Sequence, residues 1–203
     1  MSDELNKKCE PCPFCNIDYK DISNTIIEET ENFIVIPSRG SLVVGYVIVV
    51  PKQHCSCINE LNELQKEELK ATITKYRQKF FNEFGKYPII FEHGTNIVDS
   101  ESSASSIVHA HLHIVNHDFK NEELVINKLS LQQVGADAFY KNKNKSYISY
   151  IAPDFKHYIT YNYNNVSQQV RIFIAEDLNI KERYNWRRHD FKENIIETIK
   201  LFK

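Results

Sequence analysis

Residues 107–115, Ile107-Val108-His109-Ala110-His111-Leu112-His113-Ile114-Val115, carry the reading that decides the fold. Apolar and β-branched residues alternate with histidine, with no Gly or Pro among them, which predicts a β-strand. Side chains at i, i+2 and i+4 share one face of a strand. His109, His111 and His113 are therefore expected to point the same way, about 6.6–7 Å apart. Val108, Ala110, Leu112 and Ile114 are expected to face a core. Neutral imidazoles buried without hydrogen bonds are costly. Three in register make sense as groups that handle protons, phosphates or a metal; a solvated face is the plain alternative.

The flanking sequence supplies the rest of a sheet. Residues 25–37 and 42–51 read as strands separated by the turn Ser38-Arg39-Gly40-Ser41. Residues 59–84 read as a helix, because Leu69, Ile73, Tyr76, Phe80 and Phe84 recur at three and four. Gly85 suits the helix end, and Pro88 forbids continuation. Residues 87–92 read as a third strand, followed by a Ser-rich polar loop at 95–106. This order predicts an α+β fold with a mainly antiparallel sheet, one long amphipathic helix and a C-terminal α/β extension.

The chain divides on this reading into a core at residues 1–120, opened by a cysteine cluster, and an extension at 121–203 packed on it. Within the extension, residues 124–133 suggest a short helix, 139–145 a polar loop, and 147–151 with 158–163 a hairpin. Residues 166–178 suggest a helix with Val170, Phe173 and Ile174 inward. Asp190 and Glu193 have the spacing of a capping box for a last helix bearing Phe191, Ile195, Ile199 and Phe202. Trp186-Arg187-Arg188 reads as a cap of that helix, with a pocket or dimer contact as the sharper alternative. His117, His157 and His189 read as surface residues.

Composition narrows the function. Among 203 residues, 42% are hydrophobic and 26% charged, with a net charge of −2, ordinary for a globular chain. No basic stripe argues for nucleic acid. The apolar run at 42–51 is too short to span a bilayer, and the acidic N-terminus does not read as a signal peptide. A cytoplasmic protein is expected. Five closely spaced cysteines argue against a disulfide framework. Cys12-x₂-Cys15 has the form of a metal knuckle, although Cys9 offers a second pair, and reduced, idle thiols are the plain alternative.

His109-Ala110-His111-Leu112-His113-Ile114-Val115 resembles the signature of the histidine triad (HIT) family, His-φ-His-φ-His-φ-φ. Gly45 to His54, ending in Pro51-Lys52-Gln53-His54, is similar to the family strand that closes on Pro-Lys-x-His. Phe91-Glu92-His93-Gly94 resembles the segment that precedes the triad. Cys12-Pro13-Phe14-Cys15 resembles the pair that opens many members. The resemblance spans about residues 8–118; the tail is similar to that of some bacterial members.

The resemblance implies a nucleotide hydrolase or nucleotidyltransferase acting on a nucleoside phosphate derivative or a dinucleoside polyphosphate. His111 would form a covalent nucleotidyl-histidine, with His113 and Ser106 as catalytic donors and Ser105, Tyr46 and His93 at the substrate. It also implies a structural zinc held by Cys12, Cys15, His54 and His109. A twofold homodimer through the helix and its neighbouring strand is a further implication. Three departures bear on substrate. Tyr46 stands where many members have His, Ser105 stands where many have Gln, and the acid that holds the ribose has no clear match, Ser38 lying nearest. A non-catalytic nucleotide- or zinc-binding interaction module is therefore the alternative function, and processing of nucleic-acid ends a third that the net charge disfavours.

Overall fold

The computed structural model of the chain describes residues 12–95, 107–141, 145–161 and 167–203. Among the described residues eight strands form: β1 Glu28–Glu29, β2 Phe33–Pro37, β3 Tyr46–Pro51, β4 Ile89–Gly94, β5 Leu112–Val115, β6 Gln132–Val134, β7 Tyr147–Ile151 and β8 His157–Thr160. They make one sheet in the order β1-β2-β3-β5-β4-β7-β8-β6, and every pairing is antiparallel. The helices are α1 Glu63–Phe84, α2 Glu122–Lys128, α3 Ala136–Phe139, α4 Gln169–Asp177 and α5 Lys192–Phe202. The fold is α+β with an antiparallel sheet.

Both faces of the sheet are covered, so strand side chains sort into two cores by parity. Phe33, Val35, Val47, Val49, Leu112 and Ile114 pack beneath α1 with Leu69, Ile73, Tyr76 and Phe80. Ile34, Ile36, Tyr46, Ile48, Phe91 and Val115 face the other way, against Val125 of α2 and Val170 and Ile174 of α4. Each fully buried large apolar side chain contributes about 1.5–3 kcal/mol. That explains why these strands read as near-continuous apolar runs instead of half-polar ones.

Turn chemistry shortened several expected elements. Thr30 donates its N–H to the Phe33 carbonyl at 2.9 Å, so residues 25–37 form a hairpin, not one strand. Gly45, at φ 77°, delays β3 until Tyr46. A 3₁₀ turn, Ile58–Glu60, precedes α1, which starts under a capping box between Asn62 and Gln65 and ends on left-handed Gly85. Residues 124–133 hold α2 and then β6, because the chain turns through left-handed Ser130 (φ 52°). The box between Asp190 and Glu193 does not form. Phe191 takes the cap position in a left-handed conformation with no side-chain cap, and Asp190 instead lies 3.9 Å from Lys192.

Residues beyond 120 do not stand apart from the sheet. β7 runs along the outer edge of β4, from Ile90 opposite Ile151 to Gly94 opposite Tyr147, and β8 and β6 follow. The edge of β4 that a twofold contact through that strand would use is thus paired within the chain. α5 returns to α1, where Phe202 stacks on Phe80 at 4.9 Å between ring centroids. Among the described residues, no helix is long and apolar enough to cross a membrane.

Candidate active site and metal centre

The histidine segment is not a strand along its whole length. Regular pairing begins only at Leu112, opposite Val49 of β3. β3 ends at Pro51, which has no N–H to give a neighbour. Upstream of the pairing, the Ala110 N–H instead reaches the Cys55 carbonyl at 2.7 Å. This departure separates the histidines. His111 and His113 line a cleft, whereas His109 turns its Nδ1 toward two cysteines. Val108, expected in the core, is 42% exposed for the same reason, while Ala110, Leu112 and Ile114 are buried.

An open cleft of about 110 Å³ lies beside these two histidines. Its apolar lining includes Phe14, Ile36, Pro37, Ile48 and Trp186, and its polar lining His93, His111, His113, Ser38, Arg39 and Arg171.

Hydrogen bonds orient the two cleft histidines. His111 places Nδ1 2.7 Å from the carbonyl oxygen of His109. Since a carbonyl only accepts, Nδ1 carries the proton and Nε2 keeps its lone pair. Burial pushes the His111 pKa below its ordinary value, which favours the neutral ring. His113 places Nδ1 3.0 Å from the Tyr46 phenol oxygen and stacks on Phe91 at 4.4 Å, 10° from parallel. Its ring centroid is 4.8 Å from that of His111.

His93 is 8% exposed, burial pushes its pKa down to about 3, and its Nε2 has no hydrogen-bond partner among the described residues. Tyr46 is fully buried and lies behind His113, not among the residues lining the cleft. Ser105 and Ser106 lie outside the described residues, as does Cys9.

Cys12, Cys15, His54 and His109 converge, with one donor atom from each within 4.8 Å of the others. Cys12 Sγ is 3.2 Å from His109 Nδ1, Cys15 Sγ 3.3 Å from His54 Nδ1, and the two Nδ1 atoms are 3.2 Å apart. A tetrahedron with Zn–N of about 2.0 Å and Zn–S of about 2.3 Å has edges of roughly 3.3–3.8 Å. The set therefore fits such an ion. His109 Nε2 donates to the Pro51 carbonyl at 2.9 Å, which leaves the Nδ1 lone pair facing the cluster, the usual support behind a ligating imidazole. Cys55 and Cys57 stand apart: burial raises both thiol pKa values, that of Cys57 to about 12.

Trp186 lines the cleft, the alternative that its sequence left open, and the cap of the last helix is Phe191. Arg171 escaped the sequence reading. Arg171 is buried, donating from Nη2 to the Gly40 carbonyl at 2.6 Å and to the Tyr184 carbonyl at 3.1 Å. Its signal was a charge inside the inward stripe Val170, Arg171, Ile174, Ala175. His117 is buried rather than on the surface, 3.2 Å from the Asp177 carboxylate.

The triad segment, the cleft and the sheet define one class of protein. Residues 11–128 match the family model described as "Scavenger mRNA decapping enzyme C-term binding", and the chain belongs to that family, a branch of the histidine triad (HIT) proteins. "Protein hit" of Bacillus subtilis (strain 168) is 29% identical over 109 residues, 52% of this chain and 70% of that protein. Among solved structures, the chain is similar to a HIT family hydrolase from Clostridium thermocellum (22% identity, 54% of this chain, 93% of that one, TM-score 0.40). It is also similar to a Zn-bound histidine triad family protein from Mycobacterium smegmatis (19% identity, 55% and 78% covered, TM-score 0.43).

Proposed function

We propose that the chain is a nucleotide hydrolase or nucleotidyltransferase that passes a nucleotidyl group through His111. The observation that carries this reading is the 2.7 Å contact between His111 Nδ1 and the His109 carbonyl. It leaves an unprotonated Nε2 on a ring that lines the cleft. The Nε2 lone pair attacks the α-phosphorus of a nucleoside phosphate derivative or dinucleoside polyphosphate. An N–P bond forms and the P–O bond to the leaving group breaks. His113 gives a proton to the departing oxygen. Water, or another hydroxyl or phosphate acceptor, then attacks phosphorus, the N–P bond breaks, and His113 recovers a proton from the acceptor. Splitting one displacement into two lowers each barrier.

The aromatic lining, Phe14 and Trp186, supplies apolar surface for the base, and Arg39 supplies charge for phosphate. His93 offers its unpartnered Nε2 to the substrate, and Ser105 and Ser106 are further donors on this reading. Cys12, Cys15, His54 and His109 would hold a structural zinc, whose chemistry is to cross-link the N-terminal segment to the strand that carries His111.

The test is incubation with mononucleotide derivatives and dinucleoside polyphosphates, with rapid quenching at alkaline pH and intact-mass analysis. Turnover with a nucleotidyl adduct on the parent, and neither with His111→Ala, is expected. Equal turnover by both proteins overturns the reading. Nucleotide binding without adduct or turnover indicates the interaction module instead.

A further inference from the structure

Among the described residues, no carboxylate lines the cleft, and its charged side chains are Arg39 and Arg171. The chain as a whole has 27 acidic residues against 25 lysines and arginines. Grooves elsewhere on the surface hold Asp18, Glu29, Glu63 or Asp137. A concave surface lined by one sign of charge focuses its field on a ligand of the other sign.

Arg171 is 3% exposed. Its Nε and Nη2 donate to the Tyr184 carbonyl at 3.2 and 3.1 Å, and Nη2 also donates to the Gly40 carbonyl at 2.6 Å. Carbonyls fix the plane of the guanidinium but bring no negative charge. Among the described residues, no Asp or Glu forms an ion pair with it. A buried charge without a counter-ion is costly, and a ligand anion in the cleft would supply one. Arg39 is the exposed partner of this charge. Its side chain is 58% exposed and 3.9 Å from the Asp21 carboxylate, a pair too long and too wet to compete strongly with phosphate. Gln168 also lines the cleft, and α4 begins just after it without a side-chain cap. The positive end of that helix dipole therefore adds to the same field.

We infer that Arg171, with Arg39 and the first turn of α4, forms a subsite for a chain of phosphates, so that the preferred substrate carries at least one phosphate beyond the one that His111 attacks. This deepens the function proposed above and rests on it. A substrate whose leaving group is neutral would leave the second guanidinium unmatched. The C-terminal segment then supplies a binding residue that touches phosphate, and is more than a cover for the sheet.

The test is calorimetric binding, in magnesium-free buffer, of adenosine and guanosine 5′-mono-, di- and triphosphates and of inorganic tripolyphosphate. His111→Ala serves as the background, since it forms no adduct. Expected is a Kd that falls about tenfold or more from monophosphate to triphosphate, by less as salt rises. Arg171→Gln and Arg39→Gln in that background should each lose most of this gradient. Because Arg171 also ties Gly40 to Tyr184, a second measurement leaves it in place. Its side-chain ¹⁵Nε signal, assigned by its loss in Arg171→Lys, should shift when tripolyphosphate is added. Equal affinity for mono- and triphosphates, a gradient kept in both Gln variants, or an unmoved Arg171 signal overturns the inference. A gradient in a protein whose parent turns over no nucleotide defeats the proposed function and leaves the subsite standing. Turnover by the parent without a gradient does the reverse.

Discussion

Nδ1 of His111 and the carbonyl oxygen of His109 lie 2.7 Å apart, while the His109 ring enters the Cys/His cluster through its own Nδ1. One residue thus serves two neighbours, with its backbone orienting the cleft histidine and its side chain facing the cysteines. Whatever fixes His109 also fixes the lone pair of His111.

Metal removal is expected to act on both. Bound zinc at about a hundredfold excess over Kd adds roughly 2.7 kcal/mol, or roughly 5–11 °C in Tm for a chain of this size. Elemental analysis should give one zinc per chain, lost in Cys12→Ser together with Cys15→Ser. Chelation should lower Tm and turnover together. A Tm unmoved by chelation of zinc-loaded protein would remove the bracing role.

Trp186 lines the cleft, and stacking a base on an aromatic ring contributes about 1–3 kcal/mol. Trp186→Ala should raise KM by roughly tenfold, about 1.4 kcal/mol, with kcat within about threefold. Steady-state kinetics decide this. An unchanged KM would place the base elsewhere.

Gly40 sits at φ 69°, where an added Cβ would meet Trp186 Cβ at 2.7 Å and the His189 carbonyl at 2.8 Å. Gly40→Ala should cost about 1–3 kcal/mol through strain at positive φ, lowering Tm by roughly 2–12 °C. It should also weaken nucleotide binding, because the displaced wall carries Trp186. Thermal melts and calorimetry check both effects.

Glu92 is 1% exposed, accepts the Ile58 N–H at 2.9 Å and meets the Tyr147 hydroxyl. Burial pushes its pKa up to about 8, against about 4.3 unfolded. The folded state keeps this proton while the unfolded chain loses it. Its contribution is therefore complete below about pH 4.3 and is lost as pH rises to about 8. Glu92→Gln should flatten that decline and melt higher than the parent at pH 8.5. Identical slopes of Tm against pH in the two proteins would contradict it.

The alternation at 107–115 and the 3.6-residue stripe of α1 placed the central sheet, its helix and the cleft histidines, because parity and helical period are local properties of a chain. Cys12 and Cys15 were legible by spacing, and His54 and His109 only through resemblance; tertiary structure put all four donors within 4.8 Å. Three things needed the fold. β5 starts at Leu112, so His109 leaves the face of its neighbours. The tail joins the sheet through β7 and the edge of β4. Arg171 and Trp186, more than 50 positions from the triad, reach the cleft by long-range packing around the Gly40 turn. Nothing in a residue's own neighbours along the chain encodes such approaches, because they depend on which carbonyls and faces other segments leave to be satisfied.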